Sequence, residues 1–377
     1  MSSAKMQTHI HHHGCHRKRL WCSETHSQSE SIYYNEDSWS FRPIEHVTGL
    51  VGAFCLALLF PSYLDAQSAL QKINAAYVSS AGGFAVMWIA QEAKVFTKYG
   101  LDLQLIRVPG SPRLVQAVIG GDIHFAHTGG VSTANALARG ADIVVLAQTE
   151  AAYSGHLVVK ADIAGVDGLR GKRVGVPQYG STADLFLREG LKKWNLRPDR
   201  DVTILQVGGT TEVLAALLAE RIDAAVLAGE LALRARKSGF LSLFKFRELD
   251  IREQGSSVIA RRSFVREKEN TVRVFLKAFV EGIYLYKTNK DLSLRVLQKY
   301  TRNDDYEMLA AVREEYTKYM EAIPYANELN LIGSLSRIEK DLTSIERKTQ
   351  GASVAQFIES KYLKELDESG FVKQLYR

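Results

Sequence analysis

The chain has 377 residues, 46% of them hydrophobic and 24% charged, which excludes a disordered or fibrous protein and is enough for about two domains. With 48 basic and 42 acidic residues the formal charge is only +6, which suits a small anionic ligand and does not indicate a nucleic-acid partner. No run rich in lysine and arginine is interleaved with aromatic residues, as is typical of single-strand nucleic-acid binders.

The cysteines exclude two further classes of protein. Cys15, Cys22 and Cys55 are the only three in the sequence, and no cysteine follows residue 66. The body of the chain can therefore hold neither a disulfide framework nor a cysteine metal site. We expect it to carry no metal and no cofactor.

The first segment, residues 1–66, has the pattern of a disordered extension followed by a secretory signal peptide. Residues 47–60 are an uncharged run of fourteen, too short for a comfortable membrane span and typical of a signal-peptide core. Ala66 is the predicted −1 residue of the cleavage site. An uncleaved membrane anchor is the alternative. The histidine triplet at 11–13 leaves metal capture open as an alternative for the extension.

Between residues 72 and 245, short apolar runs alternate with segments in which apolar residues recur at i, i+3 and i+4. Alternation of this kind predicts parallel βαβ units and an α/β fold. The predicted strands are residues 73–78, 101–106, 123–127, 142–147, 156–160, 172–177, 201–207 and 223–228.

Helix boundaries in this region follow capping rules. Ser111, followed by Pro112, is a predicted N-cap, and Ser181 opens a start that resembles a capping box. Glycine supplies the left-handed residue that ends a helix. The predicted helix ends are Gly100, Gly120–Gly121 and Gly140.

The order of the elements indicates two lobes. Residues 105–130 and 205–230 repeat one arrangement of strand, glycine turn, helix and strand. Two lobes built on one plan would produce this repeat, and so would two ordinary βα units. Residues 256–262 are predicted as a last strand, and from residue 264 the pattern is mostly helical. Such a strand returns the chain to the first lobe, which the C-terminal helices then cover.

Taken in order, several segments resemble the nitrate/taurine/sulfonate-type solute-binding proteins of ABC importers. The resemblance runs from residue 72 to about residue 350, and the ordered series of segments carries it. These segments are AQEAKVFTKYGLDLQLI, GGDIHFAHTGGVSTANALARGADIVVLAQ, LRGKRVGVPQYGSTADLFLREGL, LQVGGTTEVLAALLAERIDAA and QGSSVIARRSF.

The resemblance implies a two-lobed type II periplasmic-binding-protein fold, an α/β fold in which each lobe is a mostly parallel sheet flanked by helices. Lobe 1 is expected to comprise residues 67–155 and 253–377, with the C-terminal helices on it, and lobe 2 residues 156–252. A ligand would lie in the cleft where strand C-termini meet helix N-termini. The N–H groups there favour an anion such as carboxylate, sulfonate or nitrate.

Carried over position by position, the resemblance places four segments at this cleft, each after a predicted strand. Hydroxyls there can donate to ligand oxygens, and glycines let the backbone approach closely. Ordinary turn and cap residues are the alternative for each segment. The expected ligand-binding residues are Ser79, Ser80, Gly82, Phe84, Thr128, Gly129, Gly130, Tyr153, Tyr179, Gly180, Ser181, Thr182 and Glu230.

Some of these residues allow other interpretations. Phe84 and Trp88 lie four residues apart on one helix, and either stack on a ligand or pack in the core. Tyr153 and Glu150 lie where the chain crosses between lobes, so they contact the ligand or hold the hinge. Glu230 would repel a simple anion, so it pairs with a ligand amine, is paired internally, or points outward.

The resemblance implies a periplasmic solute-binding protein that captures a small anionic organic or inorganic solute and catalyses nothing. It would work as a monomer with the permease and ATPase subunits of an ABC importer. A sensor or receptor built on the same clamp is one alternative. An enzyme is another, but Gly-x-Ser-x-Gly, Walker A and His-Glu-x-x-His motifs are absent. Thiamine-pyrimidine-synthesising relatives carry a cysteine-rich iron motif that the mature chain lacks, although binding of such a precursor stays open.

Overall fold

A computed structural model of the chain describes residues 69–150, 153–338 and 354–377. The extension and signal peptide predicted for residues 1–66 lie outside the described residues. Gln67–Arg377 form one compact unit. In the described ranges, no helix is both long enough and apolar enough to cross a membrane.

The first lobe is built on a five-stranded sheet. Its strands are β1 (Gln71–Tyr77), β2 (Leu101–Arg107), β3 (Phe125–Thr128), β4 (Ile143–Gln148) and β10 (Ser257–Arg261). Their order is β2-β1-β3-β10-β4, with β1 parallel to β2 and β3, and β10 antiparallel to β3 and β4. Every residue of β4, IVVLAQ, is buried although β4 is the last strand in this order, and on its outer side Val145 forms a parallel bridge with Ile358 of the C-terminal part.

The second lobe repeats this plan. Its strands are β5 (Gly155–Val159), β6 (Arg173–Val176), β7 (Thr203–Gln206), β8 (Ala224–Ala228) and β9 (Leu241–Lys245). The order β7-β6-β8-β5-β9 matches that of the first sheet strand for strand. The repeat seen in the sequence therefore reflects two lobes of one topology. β9 was not predicted, because an edge strand that is half exposed along its length carries no apolar run.

Strand direction follows from the path of the chain. In each sheet four strands point one way, and the fifth enters from the other lobe. β5 starts at the interlobe boundary and runs away from it, so it is antiparallel to β8 and β9. β10 does the same in the first sheet. The mostly parallel sheets that were predicted are confirmed, and the crossing strands make both sheets mixed.

Helices flank both sheets. Lobe 1 begins with α1 (Ala85–Glu92), α2 (Val95–Lys98), α3 (Ser111–Gly120) and α4 (Gly130–Ala138). Lobe 2 contains α5 (Thr182–Lys193), α6 (Thr210–Leu218) and α7 (Gly229–Lys237). The C-terminal part contains α8 (Arg262–Glu267), α9 (Glu269–Thr288), α10 (Lys290–Thr301), α11 (Tyr306–Tyr319), α12 (Glu328–Ile338), α13 (Lys361–Glu368) and α14 (Phe371–Leu375). Single 3-10 turns lie at Gly82–Phe84, Val166–Leu169, Phe246–Leu249 and Val354–Phe357.

The C-terminal helices cover lobe 1, and one of them also reaches lobe 2. α9 and α10 pack against α1 and share its core. α11 contacts α7 of lobe 2. Asp305, the N-cap of α11, is ion-paired with Lys237, and the Arg247 guanidinium carbon lies 4.7 Å from the centroid of the Tyr319 ring. α11 therefore bridges the two lobes.

Each lobe has its own hydrophobic core, a single large cluster in lobe 1 and two clusters in lobe 2. Trp88 has no exposed surface and stacks on Tyr300 with ring centroids 4.9 Å apart. The packing interpretation of Trp88 is therefore the right one. Phe125 of β3 stacks in the same core on Phe275 of α9.

The predicted helix boundaries are largely confirmed. Ser181 is the N-cap of α5, and its hydroxyl accepts a hydrogen bond from the backbone N–H of Asp184 at 3.3 Å. Ser111, in contrast, is not a cap: Gly110 is, and the Ser111 hydroxyl accepts from the Gly129 N–H at 3.2 Å. The predicted terminal glycines have left-handed φ values of 82° at Gly100, 89° at Gly121 and 80° at Gly140.

Candidate functional site

The two lobes touch directly across the cleft between them. The hydroxyl oxygens of Ser79 in lobe 1 and Thr210 in lobe 2 are 2.7 Å apart. Arg107, at the end of β2, donates to the Glu212 carboxylate of α6, with Nη2 3.2 Å from Oε2. Contacts of both kinds, neutral and ionic, define a closed conformation.

A cavity lies between the closed lobes. It holds about 890 Å³ of space not filled by protein atoms, including the part open to solvent. Lobe 1 contributes Ser79, Phe84, Ser111 and Gly129 to its wall, and lobe 2 contributes Ser181, Thr182, Phe186 and Leu231. A solute in this cavity would touch both lobes at once.

Helix amino termini form one part of the cavity wall. Ser111 of α3, Thr182 of α5 and Thr210 of α6 line it, as does Gly129 immediately before α4. They converge here because parallel strands end, and their helices begin, at the same edge of a sheet. The first N–H groups of a helix have no intrahelical partner and carry the positive end of its dipole. This part of the wall therefore offers donors to an acceptor group of a solute.

Gly129 is a point of close approach between the lobes. A Cβ at this position would lie 2.8 Å from Thr182 Oγ1 and 2.9 Å from Ser111 Oγ. Glycine therefore leaves room for both hydroxyls. Thr182 Oγ1 is shielded from solvent and has no hydrogen-bond partner among the described residues. It is available to a solute.

Another part of the wall comes from the segments that cross between the sheets. Glu150 accepts from the Ser154 hydroxyl on Oε1 at 2.8 Å and from the Ser256 hydroxyl on Oε2 at 2.7 Å. Burial raises the pKa of the Glu150 carboxyl above its ordinary value. Glu253 is also in the wall and is ion-paired with Arg337, Nε to Oε2 at 3.0 Å.

The charged side chains in the described wall of the cavity, Glu150 and Glu253, are both acidic. No lysine, arginine or histidine occurs among the cavity-lining residues that the structure describes. The charge of Glu253 is balanced by Arg337, whereas Glu150 has no ion-paired cation among the described residues and accepts from two serine hydroxyls.

The structure brings about half of the predicted binding residues to this cavity. The residues that line it are Ser79, Phe84, Gly129, Tyr153, Ser181 and Thr182. The residues that do not line it are Ser80, Gly82, Thr128, Gly130, Tyr179, Gly180 and Glu230.

Packing explains why several of these predicted residues do not line the cavity. The Thr128 side chain is fully buried. Gly130 lies against the crossing segment, since a Cβ there would be 1.9 Å from the carbonyl oxygen of Gln254. Tyr179 is 50% exposed, and the Arg188 guanidinium carbon lies 5.8 Å from its ring centroid, outside the cavity.

Glu230 is paired internally, one of the three alternatives that its sequence position allowed. Its Oε2 accepts from the Gly82 N–H of lobe 1 at 3.1 Å, and its side chain has no exposed surface. Oε1 has no hydrogen-bond partner in the described part of the chain. Burial raises the pKa of this carboxyl to about 7. Glu230 is thus a contact between the lobes.

Tyr316 is a cavity residue that the sequence did not reveal. It comes from α11, and its ring packs against glycines of both lobes. A Cβ on Gly83 would lie 2.8 Å from Tyr316 Cε1, and a Cβ on Gly229 would lie 2.6 Å from its hydroxyl oxygen. Helical periodicity puts Tyr316 on a buried face but cannot say which lobe it faces. Gln254 and Ser256 lay in a segment that carried the resemblance, without an assigned role.

Comparison with known proteins supports this architecture. The sequence matches the model of the family described as NMT1/THI5 like over residues 82–290, more than half of the chain. No curated protein matches it significantly.

Solved structures share the fold. A protein from Bordetella bronchiseptica RB50 has a TM-score of 0.68 and 18% identity, over 80% of this chain and 98% of that one. The periplasmic aliphatic sulphonate binding protein SsuA from Escherichia coli has a TM-score of 0.58 and 19% identity, over 76% and 97%. The periplasmic nitrate-binding protein NrtA from Synechocystis PCC 6803 has a TM-score of 0.64 and 12% identity, over 80% and 89%. These likenesses confirm the two-lobed periplasmic-binding-protein fold.

Proposed function

This chain belongs to the NMT1/THI5-like family, and from that premise we propose that it is the solute-binding component of an ABC importer. It captures one small solute between its lobes and passes it on unchanged. The observation that carries the proposal is the closed cavity between the lobes. Its wall includes Thr182 Oγ1, which has no hydrogen-bond partner in the part of the chain that the structure describes.

Binding and closure are one equilibrium in this proposal. A solute touches Phe84 of lobe 1 and Phe186 of lobe 2 together only when the lobes are closed. It therefore stabilises the closed state by the difference between its affinities for the two states. Direct contacts such as Ser79 to Thr210 stabilise the same state, and a permease can sense it because the lobes then present one joined surface.

The side chains of the cavity support binding over catalysis. Among the described lining residues, the hydroxyls have no histidine or lysine beside them, and the Ser154 and Ser256 hydroxyls donate to Glu150. His127, the nearest histidine in sequence to Gly129, is fully buried, and its Nε2 is 2.8 Å from Thr149 Oγ1. Burial lowers the pKa of His127 to about 3, so it stays neutral and holds the backbone near the crossing segment.

The proposal extends to the location and partners of the protein. Residues 1–66 are an extension and signal peptide that is removed on export, and the mature monomer works in the periplasm with a permease and an ATPase. Both SsuA and NrtA are named as periplasmic binding proteins. The division of the strands between the two sheets supports lobe 1 as residues 67–155 and 253–377, and lobe 2 as residues 156–252.

A thermal-shift screen of the purified chain tests the proposal. Sulfonates, carboxylates, nitrate, pyrimidines and amines are the compounds to try. A compound at about 100 times its Kd stabilises the folded state by about 2.7 kcal/mol, which raises the Tm by several degrees. Gly129→Ala should reduce the shift, because its Cβ would lie 2.8 Å from Thr182 Oγ1 and would displace a hydroxyl that lines the cavity.

Gly120→Ala is the matched control, since a Cβ at that position meets nothing closer than 3.8 Å. It should bind like the unaltered chain. Turnover of a bound compound, or shifts of equal size in Gly129→Ala and Gly120→Ala, would contradict the proposal.

A further inference from the structure

We propose that the solute carries a nitrogen hydrogen-bond donor, an amine or amidine group on an apolar body of about the size of one ring, and that Glu150 binds this donor. The inference rests on the function proposed above and names the class of compound that the same cavity accepts. It differs from the simple anion that the helix termini alone would favour.

Glu150 is positioned as an acceptor. The Ser154 and Ser256 hydroxyls donate to its two oxygens, one each, and hold the carboxylate in place. A carboxylate oxygen accepts more than one hydrogen bond, so each oxygen keeps capacity for a donor of the solute. In the described ranges, no cationic side chain lies within ion-pair distance of Glu150, whereas Glu253 in the same wall has Arg337.

Gln254 adds a second acceptor to the same part of the wall. The residue has no exposed surface, and its Nε2 donates to the Ser257 hydroxyl at 2.8 Å. Its Oε1 has no partner among the described atoms. A buried amide oxygen without a donor is costly, so this wall needs a donor from the solute more than it needs another acceptor.

The rest of the cavity fits an apolar body. Phe84, Phe186, Leu231 and Tyr316 line it together with Tyr153, whose ring centroid lies 4.8 Å from that of Phe186. Flat and aliphatic side chains from both lobes therefore surround a solute. A small inorganic anion such as nitrate would leave most of this surface without contact.

The charges in the cavity wall decide whether a hydrogen-bond donor or an anion is the better solute. Each helix terminus carries about half a unit of positive charge, spread over several N–H groups. Ionised Glu150 carries a full negative charge at the wall with no ion-paired cation in the described part of the chain. The helix termini can bind an acceptor atom of the solute, but a solute that is only an anion would face Glu150 uncompensated.

The groups around Glu150 set its pKa and predict how the affinity for an amine depends on pH. Arg247 and Glu315 line an adjoining cavity that Glu150 also borders, and they oppose each other: Arg247 lowers its pKa and Glu315 raises it. The Ser154 and Ser256 hydroxyls lower it, and burial is the largest effect and raises it. Protonation removes the charge that holds a cation, so affinity for an amine should fall as the pH falls, starting at a higher pH than for an exposed carboxylate.

Calorimetry with four probes tests the inference at neutral pH: benzylamine, benzamidine, benzenesulfonate and nitrate. The first three share one ring. Benzylamine and benzamidine are cations at neutral pH, and benzenesulfonate is an anion. In the unaltered chain the two nitrogen compounds should bind more tightly than benzenesulfonate. Glu150→Gln should weaken their binding by about tenfold or more, the usual effect of a hydrogen bond to a charged group.

Glu315→Gln is the matched control, because Glu315 is a neighbouring carboxylate that does not line this cavity. It should leave the affinity of both nitrogen compounds nearly unchanged. Melting curves of both variants confirm that they fold, and the ranking of the probes in the unaltered chain depends on no variant.

Tighter binding of benzenesulfonate or nitrate than of the amines overturns the inference and leaves the proposed function standing. Equal losses in Glu150→Gln and Glu315→Gln also overturn it. Binding of none of the four probes, by a chain that melts cooperatively, overturns the inference alone, because the wider thermal-shift screen tests the proposed function separately.

Discussion

At the scale of single residues, Glu230 shows how a side chain can work between the lobes without touching the solute. It reaches from the start of α7 to the Gly82 N–H and is fully buried there. Burial is the largest effect on its pKa and raises it, whereas the hydrogen bond from the Gly82 N–H and the charge of Arg234 lower it. The folded chain is therefore most stable when this carboxyl is neutral.

The raised pKa of Glu230 predicts that lower pH favours the folded state. The pKa of Glu230 rises from its ordinary 4.5 to about 7 in this structure, so its contribution is fully present below about pH 4.5 and is lost as the pH rises through 7. The effect is a few kcal/mol at most, since one pKa unit corresponds to about 1.4 kcal/mol. Glu230→Gln keeps an acceptor for Gly82 and removes the titration.

Calorimetric unfolding at pH 5 and pH 8 measures this. The variant should be as stable as the unaltered chain at pH 5 and more stable at pH 8. If the variant and the unaltered chain differ in stability between pH 5 and pH 8 by the same amount, Glu230 does not cause that difference.

Thr182 and Thr128 separate two kinds of buried threonine. Neither Thr182 Oγ1 nor Thr128 Oγ1 has a hydrogen-bond partner among the described residues, but Thr182 lines the cavity and Thr128 does not. Thr182→Ala should weaken solute binding by about 0.5–1.5 kcal/mol, the net value of one hydrogen bond. Thr128→Ala should leave affinity unchanged. Titration calorimetry with a compound from the screen checks both, and a loss of affinity only in Thr128→Ala would refute this placement.

At the scale of elements, α11 is the part of the C-terminal region that joins both lobes. Tyr316 fits only because residues 83 and 229 are glycines, and Gly229 also has a left-handed φ of 54°. A side chain at Gly229 would therefore be unfavourable for two reasons. The backbone at this residue would be strained, and its Cβ would overlap the Tyr316 hydroxyl.

Gly229→Ala should therefore lower the free energy of unfolding by about 1–2 kcal/mol for the backbone and by about 1–3 kcal/mol more for overpacking. Gly140→Ala is the control, because Gly140 has a φ of 80° but nothing within 4 Å of a Cβ. It should lose only the backbone part. Urea unfolding of both variants decides, and equal losses would contradict the packing of Tyr316 against Gly229.

Elements with a strong local signal could be predicted from the sequence, and those that depend on distant contacts could not. Buried strands such as β4 read as apolar runs, and Ser181 could be identified as a cap from its own segment. β9 is a half-exposed edge and gave no such run. Ser111 looked like a cap, but its hydroxyl binds the Gly129 N–H eighteen residues away.

The candidate site shows the same limit. Loops after parallel strands could be placed at the cleft, which identified Ser79, Gly129 and Thr182. Which neighbour within each loop faces the cavity depends on packing: Gly129 lines it and Thr128 does not. Tyr316 enters from a helix that follows both lobes in sequence, so no local pattern could have found it.

At the scale of the whole molecule, the two sheets share one topology and meet at the edge where their helices begin. The cleft is therefore bounded by equivalent loops from both lobes. Its crossing segments include residues 149–150, 153–154 and 246–256. A clamp with two crossing segments can open by small backbone changes in those segments. The central claim is that this clamp closes on a solute.

Distance measurement between the lobes tests that claim most directly. No cysteine follows residue 66, so with Cys15, Cys22 and Cys55 changed to serine, Arg113→Cys and Lys193→Cys place one spin label on an exposed position of each lobe. A compound that stabilises the chain should convert a broad distribution of label distances into a narrower one at shorter distance. The same distribution with and without that compound would contradict the account.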